Sequence, residues 1–282
     1  MGELAYVNGR FCELAEAVVS IEDRGFQFAD GVYEVAVALG GRVFRLGEHL
    51  ERLRRSMASI SLEADWAELG LERAIDEGLR RSGFDQSLIY VQITRGVQPR
   101  SHVIAKGLKP TVVMTFKRRA PLDPGQRERG LHVVTVDDFR WMRCDIKAIA
   151  LLPNVMAKNK AIGDGYDDAL FVGPDGEVRE GTSANVFAIR GGRLVTPSVD
   201  EPILHGITRR YVLECAQRAD VPNEQRRLSV DDLASADEAF ISSTSVDILS
   251  VTRLNGRLIG TGRPGPVTQR LYRTFMDGLP RG

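Results

Sequence analysis

The sequence predicts an α+β protein of two domains, each a mainly antiparallel sheet or barrel with helices. Three observations lead to this prediction. Apolar runs are repeatedly joined by glycine-containing turns, which is the pattern of β-hairpins. Segments with helical spacing of apolar residues stand between groups of these runs. The chain has 282 residues, 43% of them apolar, which exceeds one minimal domain and fits two of ordinary size.

The first 118 residues are predicted to form a small N-terminal α/β domain. Two hairpins are expected, with turns at Asn8-Gly9 and at Gly40-Gly41. Apolar residues at spacings of three and four, and strand-like alternation, predict four further elements. These are helices over 47–60 and 66–81 and strands over 88–96 and 111–116.

The segment RRAPLDPGQRERG interrupts these patterns with prolines, glycines and charges, so we place the interdomain linker at 119–131. A larger, cofactor-binding C-terminal domain is then predicted over 132–282. Hairpins are expected to turn at 174–176 and at Gly191-Gly192. The remaining elements are a strand over 131–139, helices near 154–163, 208–219 and 268–277, and strands within 238–260.

Charge and composition exclude several classes of protein. Lys+Arg and Asp+Glu are both 38, which argues against a partner of nucleic acid or anionic membrane. No apolar run reaches the roughly 18 residues of a transmembrane helix, and the start lacks the features of a secretory signal. Three scattered cysteines suit a reducing cytoplasm, and the histidines show no zinc spacing, so no metal is expected.

Lys147 is the candidate amine nucleophile, one of only six lysines in the chain. Ile146, Ile149, Leu151 and Leu152 surround it in sequence. An apolar environment lowers the pKa of an amine, which suits a Schiff-base lysine. The alternative is an amphipathic lysine that extends into solvent from the end of a strand.

Glu180 is the candidate carboxylate, at the end of a predicted strand before a Gly-Thr-Ser turn. It could pair with a cationic ring nitrogen, or it could cap nearby backbone amides in the turn. Sequence position alone leaves both interpretations open.

An anion site is predicted at the start of the helix that follows ILHG. The amides of Gly206, Ile207 and Thr208 would point at the anion, aided by the helix dipole. The hydroxyl cluster at 242–245 could add donors. The alternative is that Thr208 is an ordinary N-cap residue.

The end of the strand over 88–96 and the loop that follows it carry Arg95, Arg100 and His102. Arginine guanidinium groups bind carboxylates through two parallel hydrogen bonds, so this loop is a candidate carboxylate site. The alternative is a surface loop with ordinary arginines.

Seven segments together resemble the D-amino-acid aminotransferases. These enzymes belong to the branched-chain-aminotransferase-like class, fold type IV, of pyridoxal-phosphate enzymes. The similarity extends in order and spacing from Tyr6 to about Gly262. The segments are EDRGFQFADGVYEV, GEHLERL, TRGVQPRSH, RWMRCDIKAIALL, VREGTSANVFAI, ILHGITRR and ISSTS.

The resemblance implies pyridoxal 5′-phosphate as the cofactor and gives each candidate a role. Lys147 would form the internal aldimine and shuttle a proton between the substrate Cα and cofactor C4′. Glu180 would keep the pyridinium nitrogen protonated, and Leu204 would pack against the ring. The implied phosphate ligands are Arg52, Gly206, Ile207, Thr208 and Thr244.

The resemblance also implies the substrate and the assembly. Tyr33, Arg100 and His102 match positions that hold the α-carboxylate of D-amino acids. In this family the arginine and the histidine come from the neighbouring subunit, which implies a homodimer. The expected reaction is a ping-pong exchange of an amino group between D-amino acids, such as D-alanine and D-glutamate, and 2-oxo acids.

Three alternatives within the same fold remain open, namely an L-branched-chain aminotransferase, an (R)-amine aminotransferase and an aminodeoxychorismate lyase. Arg100 and His102 favour the D-amino-acid branch, because two cationic donors suit a carboxylate. The lyase needs no 2-oxo-acid acceptor, which separates it from a transaminase. A non-catalytic protein that binds a phosphate ligand is disfavoured, because binding alone requires neither Lys147 nor Glu180.

Overall fold

A computed structural model describes residues 2–200 and 202–280 of the chain. It divides into two compact units. The N-terminal unit comprises the chain up to Ala120, the segment Ile146–Ala150 and Pro280. The C-terminal unit comprises Pro121–Asp145 and the chain from Leu151 to Leu279.

The N-terminal unit is built on an antiparallel sheet with the strand order β2-β1-β6-β5-β3-β4. Both predicted hairpins are present, with Asn8-Gly9 between β1 and β2 and Gly40-Gly41 between β3 and β4. The strands are β1 Leu4–Val7, β2 Arg10–Glu13, β3 Gly31–Leu39, β4 Arg42–Val43, β5 Gln86–Thr94 and β6 Thr111–Arg118.

Helices cover this sheet, and one of them differs from the prediction. The single helix predicted over 66–81 is wrong, because Gly70 adopts a left-handed conformation (φ +56°) that ends one helix and precedes the next. The helices are α1 Arg24–Phe28, α2 Leu46–Ser59, α3 Trp66–Leu69 and α4 Leu71–Ser82, with a short 3-10 helix at Leu14–Glu16.

The core of the N-terminal unit lies between the sheet and the apolar faces of α2 and α4. Leu50 and Leu53 of α2 and Ile75 of α4 are buried there with Phe116 of β6. Gly78 allows the close approach of α4, because a Cβ at this position would lie 2.1 Å from the Phe116 ring. This packing holds β3 and α2, the elements that carry several of the predicted site residues.

The C-terminal unit contains a mixed sheet with the strand order β12-β11-β10-β13-β14-β7-β8-β9, and β15 pairs with β14. Three of its strand pairs are parallel (β11 with β12, β14 with β7 and β7 with β8), and the others are antiparallel. The strands are β7 Leu131–Asp137, β8 Asp168–Val172, β9 Val178–Gly181, β10 Asn185–Arg190, β11 Arg193–Thr196, β12 Asn223–Gln225, β13 Glu238–Ser243, β14 Asp247–Leu254 and β15 Arg257–Leu258.

The helices of this unit include one inside the segment predicted as a linker. Asp123 caps α5 by accepting a hydrogen bond from the Gly125 amide, and Pro124 occupies its first turn. The segment is therefore not structureless. The helices are α5 Pro124–Arg129, α6 Leu152–Gly163, α7 Ile207–Arg218, α8 Val230–Ala234 and α9 Pro266–Asp277.

The segment Ile146–Ala150 groups with the N-terminal unit, whereas the predicted ranges place it in the C-terminal domain. Backbone pairing explains the difference. Val32 and Ala148 form a β-bridge, and the Tyr33 amide donates to the Lys147 carbonyl at 2.9 Å. The segment therefore pairs with the first part of β3, although the two are distant in sequence. The predicted limits of independently folding domains stay a prediction.

No helix within residues 2–200 and 202–280 is long and apolar enough to cross a membrane. Over the same residues, no cluster of histidine, cysteine, aspartate or glutamate has the arrangement of a metal site. Cys12, Cys144 and Cys215 are all free thiols.

Candidate active site

Lys147 lies on an irregular segment that is fixed through its backbone. Its amide donates to Ser56 Oγ at 3.2 Å, and its carbonyl accepts from the Tyr33 amide. The side chain is half-buried, and its Nζ lies 4.1 Å from the centroid of the Tyr33 ring. The amine thus contacts an aromatic face rather than extending freely into solvent, which favours the functional interpretation over the amphipathic one.

Tyr33 connects Lys147 to a second aromatic residue. Its ring stacks on Tyr90 with centroids 5.5 Å apart, and the Tyr90 hydroxyl donates to Gln92 at 2.6 Å. Burial and the neighbouring Tyr33 raise the pKa of Tyr90 to about 12, so Tyr90 stays protonated and donates. The stacked pair fixes the ring that the Lys147 amine contacts.

Arg52 is buried in α2 and binds Glu34 of β3 through two hydrogen bonds. The Arg52 Nε donates to Oε1 at 2.7 Å and Nη2 donates to Oε2 at 2.9 Å, while His49 Nδ1 also lies 2.7 Å from Oε2. All three side chains are almost fully buried. Glu34 therefore orients the guanidinium that the resemblance implies for the phosphate, and that role stays a prediction.

Glu34 should give the protein a specific acid sensitivity. Burial raises the pKa of its carboxyl, but Arg52 and His49 outweigh this effect and lower it from 4.5 to about 2. A depressed pKa stabilises the fold above pH 4.5, and that stability is lost as the pH falls towards 2. The contribution is about 3 kcal/mol.

Urea unfolding of wild type and Glu34→Gln at pH 7, 4.5, 3 and 2 tests this expectation. Wild type should lose most of that extra free energy of unfolding over this interval, and the variant should not. Glu34→Gln should also be less stable at pH 7, because Arg52 then remains buried without its carboxylate. Parallel pH curves for the two proteins would contradict the assignment.

Arg100 and His102 are exposed in the loop after β5, and both contact Phe28 of α1. The Arg100 guanidinium lies 4.5 Å from the Phe28 ring centroid, and the His102 ring meets the same ring edge-on at 5.5 Å. Among the described residues, the ring contacts of Arg100 and His102 are with Phe28, whereas those of Tyr33 are with Tyr90 and Lys147. The resemblance assigns Arg100 and His102 to a neighbouring subunit's site, and this stays a prediction.

Glu180 of β9 is buried, and its carboxylate is held from several directions. Oε1 accepts from Arg140 at 2.7 Å, and Oε2 accepts from Asn185 at 3.2 Å and from the Leu204 amide at 3.0 Å. Leu204 is 24 residues away in sequence, so this contact is tertiary and does not belong to the Gly-Thr-Ser turn that follows Glu180. Contacts with Arg140 and the Leu204 amide thus fix the carboxylate from distant parts of the chain.

Arg140 forms an ion pair with Glu180 and also binds Asp138. Burial lowers the pKa of its guanidinium, but Asp138 and Glu180 raise it above its usual value. Arg140 therefore stays cationic and places a fixed positive charge beside the Glu180 carboxylate. An ionised, immobile carboxylate is suited to accept a hydrogen bond from a protonated ring nitrogen.

Gly206 is the N-cap of α7, and no side chain caps the first amides of this helix. The interpretation of Thr208 as an ordinary N-cap is therefore wrong. Gly206 is also required by packing, because a Cβ there would lie 2.1 Å from Asn185 Oδ1. The turn that presents the amides of Ile207 and Thr208 thus depends on the same asparagine that binds Glu180.

Two further residues concern this predicted phosphate site, namely Arg209 and Thr244. Arg209, in the first turn of α7, is buried, and burial lowers its pKa to about 10 against the opposing charge of Glu180. It remains cationic at neutral pH. Thr244 lies in the turn between β13 and β14, where Ser243 and Ser245 share a hydrogen bond at 3.0 Å.

These donor sets fit the cofactor that the resemblance implies. A helix start whose first amides have no side-chain cap suits a phosphate. A carboxylate held by Arg140 suits a pyridinium nitrogen, and a half-buried amine on an aromatic face suits a carbonyl partner. The resemblance assigns the cofactor to Arg52 and Lys147 of the N-terminal unit and to Glu180, Leu204, Gly206, Ile207, Thr208 and Thr244 of the C-terminal unit, and this assignment stays a prediction.

Comparison with known proteins identifies the family. The family description "Amino-transferase class IV" matches residues 31–254. The chain belongs to the class IV aminotransferases. It is a pyridoxal-phosphate-dependent aminotransferase, which confirms the predicted enzyme class and cofactor.

Individual relatives of this class IV aminotransferase cover nearly its whole length. It is 39% identical to a D-alanine aminotransferase of Bacillus licheniformis, covering 96% of this chain and 95% of the relative. It is 38% identical to a D-alanine aminotransferase of Staphylococcus haemolyticus, covering 96% and 95% of the two chains. Among solved structures, a branched-chain aminotransferase of Thermoproteus uzoniensis with norvaline is 29% identical, with TM-score 0.86 over 97% and 93% of the two chains. The predicted fold type is confirmed.

Sequence reasoning on this class IV aminotransferase missed the partners that hold its predicted site residues, namely Glu34, His49, Arg140 and Asn185. One signal could have found Glu34. In β3, Val32, Glu34 and Ala36 share one buried face, so a carboxylate stands where alternation requires an apolar residue. A buried carboxylate needs a cationic partner.

Proposed function

We propose that this enzyme transfers amino groups between D-amino acids, of the D-alanine and D-glutamate type, and 2-oxo acids in a ping-pong reaction. The observation that carries this proposal is the 39% identity to a D-alanine aminotransferase over 96% of the chain. Arg100 and His102 also support it, because both contact the Phe28 ring and both side chains can bind a carboxylate.

Each residue near the ring has a defined role in the proposed reaction, and Lys147 has two. When bound, pyridoxal phosphate withdraws electrons from the substrate Cα and stores the amino group between the two half-reactions. Lys147 binds the cofactor covalently and moves the proton at Cα. Glu180 holds the proton at the ring nitrogen, and Leu204 supports the ring.

The remaining residues bind the two anionic ends. Arg52 and the amides and hydroxyls of residues 206–208 and Thr244 hold the phosphate. Arg100, His102 and Tyr33 hold the substrate carboxylate, which orients Cα relative to Lys147. The side of the pocket that receives the carboxylate then decides between D and L substrates.

We also propose that the enzyme is a cytoplasmic homodimer, in which Arg100 and His102 serve the neighbouring subunit. Exposed apolar side chains on α6 support an interface, namely Leu152 (68% exposed), Val155, Met156 and Ile162. Three free thiols suit a reducing compartment.

A donor panel tests the substrate class. We expect wild type to prefer D-alanine and D-glutamate to L-leucine and to (R)-1-phenylethylamine. Arg100→Ala should lower kcat/KM for both D-amino acids by ~10–100-fold, because a charged hydrogen bond to the carboxylate is lost. (R)-1-phenylethylamine has no carboxylate, so its kcat/KM should be almost unaffected.

The panel also distinguishes the alternatives. Preference of wild type for L-leucine would replace the proposal with a branched-chain aminotransferase, in line with the solved structure of 29% identity. Release of pyruvate without a 2-oxo-acid acceptor would indicate a lyase. An equal loss for all donors in Arg100→Ala would contradict the carboxylate role.

A further inference from the structure

The loop that carries Arg100 and His102 has no regular secondary structure between residues 98 and 110. Both side chains are exposed, and an exposed side chain loses conformational entropy when it binds a ligand. A pair that must receive a carboxylate benefits from being held in place before the substrate arrives. In the structure, residues of α1 and their hydrogen-bond partners hold the pair in place in this way.

The first component is the Phe28 ring, at the end of α1. It contacts the Arg100 guanidinium at 4.5 Å and the His102 ring at 5.5 Å. The Arg24 guanidinium lies 5.0 Å from the same ring. One aromatic side chain therefore supports both predicted carboxylate ligands and contacts Arg24.

The second component is a buried anchor for the loop backbone. Arg24 Nη1 donates to the carbonyl of Ser101 at 2.6 Å, and Ser101 lies between Arg100 and His102. Gln98 supports the same turn by donating to the Val103 carbonyl and accepting from the Ala105 amide, both at 3.0 Å. Fixing this backbone fixes the origin of both functional side chains.

The third component sets the direction of Arg24. Its Nε donates to Asp30 Oδ2 at 2.7 Å, and Arg95 Nε binds the same carboxylate at 2.8 Å. Burial raises the pKa of Asp30, but the two arginines outweigh burial and lower it, so the carboxylate is ionised. Arg95 also donates to the carbonyls of Ile60 and Ser61, which fixes its own position.

We propose that Arg24, with Phe28, is a positioning residue that holds Arg100 and His102 in the geometry needed to bind the substrate carboxylate. Arg24 acts through the Ser101 carbonyl and does not touch the substrate. This inference rests on the proposed function, because it assumes that the pair binds a carboxylate.

Arg24→Lys is the main test, since lysine keeps the charge but lacks the fork that serves Asp30 and Ser101 at once. Arg95 still neutralises Asp30, so the fold should survive. We expect kcat/KM for D-alanine to fall ~10-fold, mainly through KM. The kcat/KM for (R)-1-phenylethylamine, which has no carboxylate, should be unaffected. Phe28→Leu should cost ~2–5-fold, and Phe28→Tyr should retain activity.

A double-mutant cycle separates positioning from a general structural effect. In an Arg100→Ala/His102→Ala background, Arg24→Lys should cost less than about twofold, because the groups it positions are gone. The matched control is Arg81→Lys. Arg81 also pairs with a carboxylate, Glu77, and lies on a ring, Phe11, but belongs to α4. The inference would be overturned if Arg24→Lys lowered kcat/KM equally in both backgrounds. It would also be overturned if Arg24→Lys lowered kcat/KM equally for D-alanine and for (R)-1-phenylethylamine.

Hydrogen exchange provides a readout that does not depend on activity. The amides of Val103 and Ala105 are bonded within the anchored turn, so a peptide over 98–107 should exchange faster in Arg24→Lys than in wild type or Arg81→Lys. Unchanged exchange would overturn the inference. Faster exchange in Arg24→Lys, together with a wild type that does not accept D-amino acids, would overturn the proposed function but would leave in place the anchoring of the loop by Arg24.

Discussion

Replacing Lys147 with alanine is expected to abolish multiple turnover, with a loss of ~10³-fold or more in kcat. The side chain has two proposed tasks, covalent attachment of the cofactor and transfer of the proton at Cα, and alanine can perform neither. The fold should remain intact, because the contacts that fix this segment involve the backbone amide and carbonyl of residue 147.

The measurement compares kcat with D-alanine and 2-oxoglutarate, together with the cofactor that stays covalently bound after borohydride reduction. Lys160→Ala is the matched control, since Lys160 is 71% exposed and pairs only with its helix neighbour Asp164 in the described contacts. Lys158 is a poorer control, because its Nζ binds the Asp167 carbonyl and pairs with the buried Asp168. Substantial turnover in Lys147→Ala, without an added amine, would refute the assignment.

Glu180→Gln is expected to retain the cofactor but to slow removal of the proton at Cα by ~10–100-fold. A neutral amide no longer favours a protonated ring nitrogen, and the loss of a hydrogen bond to a charged group corresponds to about 1.5–3 kcal/mol. Glutamine also presents an amide donor in a site where Arg140 and the Leu204 amide both donate. The fold should be less stable as well.

A primary kinetic isotope effect with α-deuterated D-alanine checks this expectation. The effect should increase in Glu180→Gln, because proton removal then limits the rate more strongly. Glu128→Gln serves as the control, since Glu128 is an exposed carboxylate on α5. If Glu180→Gln matched wild type in rate and isotope effect, the carboxylate would have only a structural role.

Several elements were predictable because their signals are local. The Asn8-Gly9 and Gly191-Gly192 turns lie between alternating runs, and the structure places hairpins there. The helix over 47–60 was predicted from apolar spacing and matches α2 closely. The break at Gly70 was not predicted, because a glycine within a helical pattern is tolerated often enough to carry little information.

The partners of the site residues were not predictable from spacing. Arg140 and Glu180 are 40 residues apart, and Glu34 and Arg52 are 18 apart on different elements. No periodic pattern joins such residues, since their meeting depends on how the strands and helices pack. Only Glu34 left a signal, as a carboxylate on the buried face of a strand.

The sequence by itself determined the fold class, because turn residues and periodicity are properties of neighbouring residues. The resemblance of seven ordered segments gave the family, and the cofactor is what that resemblance implied. Only the tertiary structure decided how the candidate residues are held. It joined Ile146–Ala150 to β3 and fixed Glu180 between Arg140, Asn185 and the Leu204 amide. It also anchored the Arg100 loop on Arg24. The physical reason is that a buried charge must find its partner in space, and chain folding brings that partner from a distant segment.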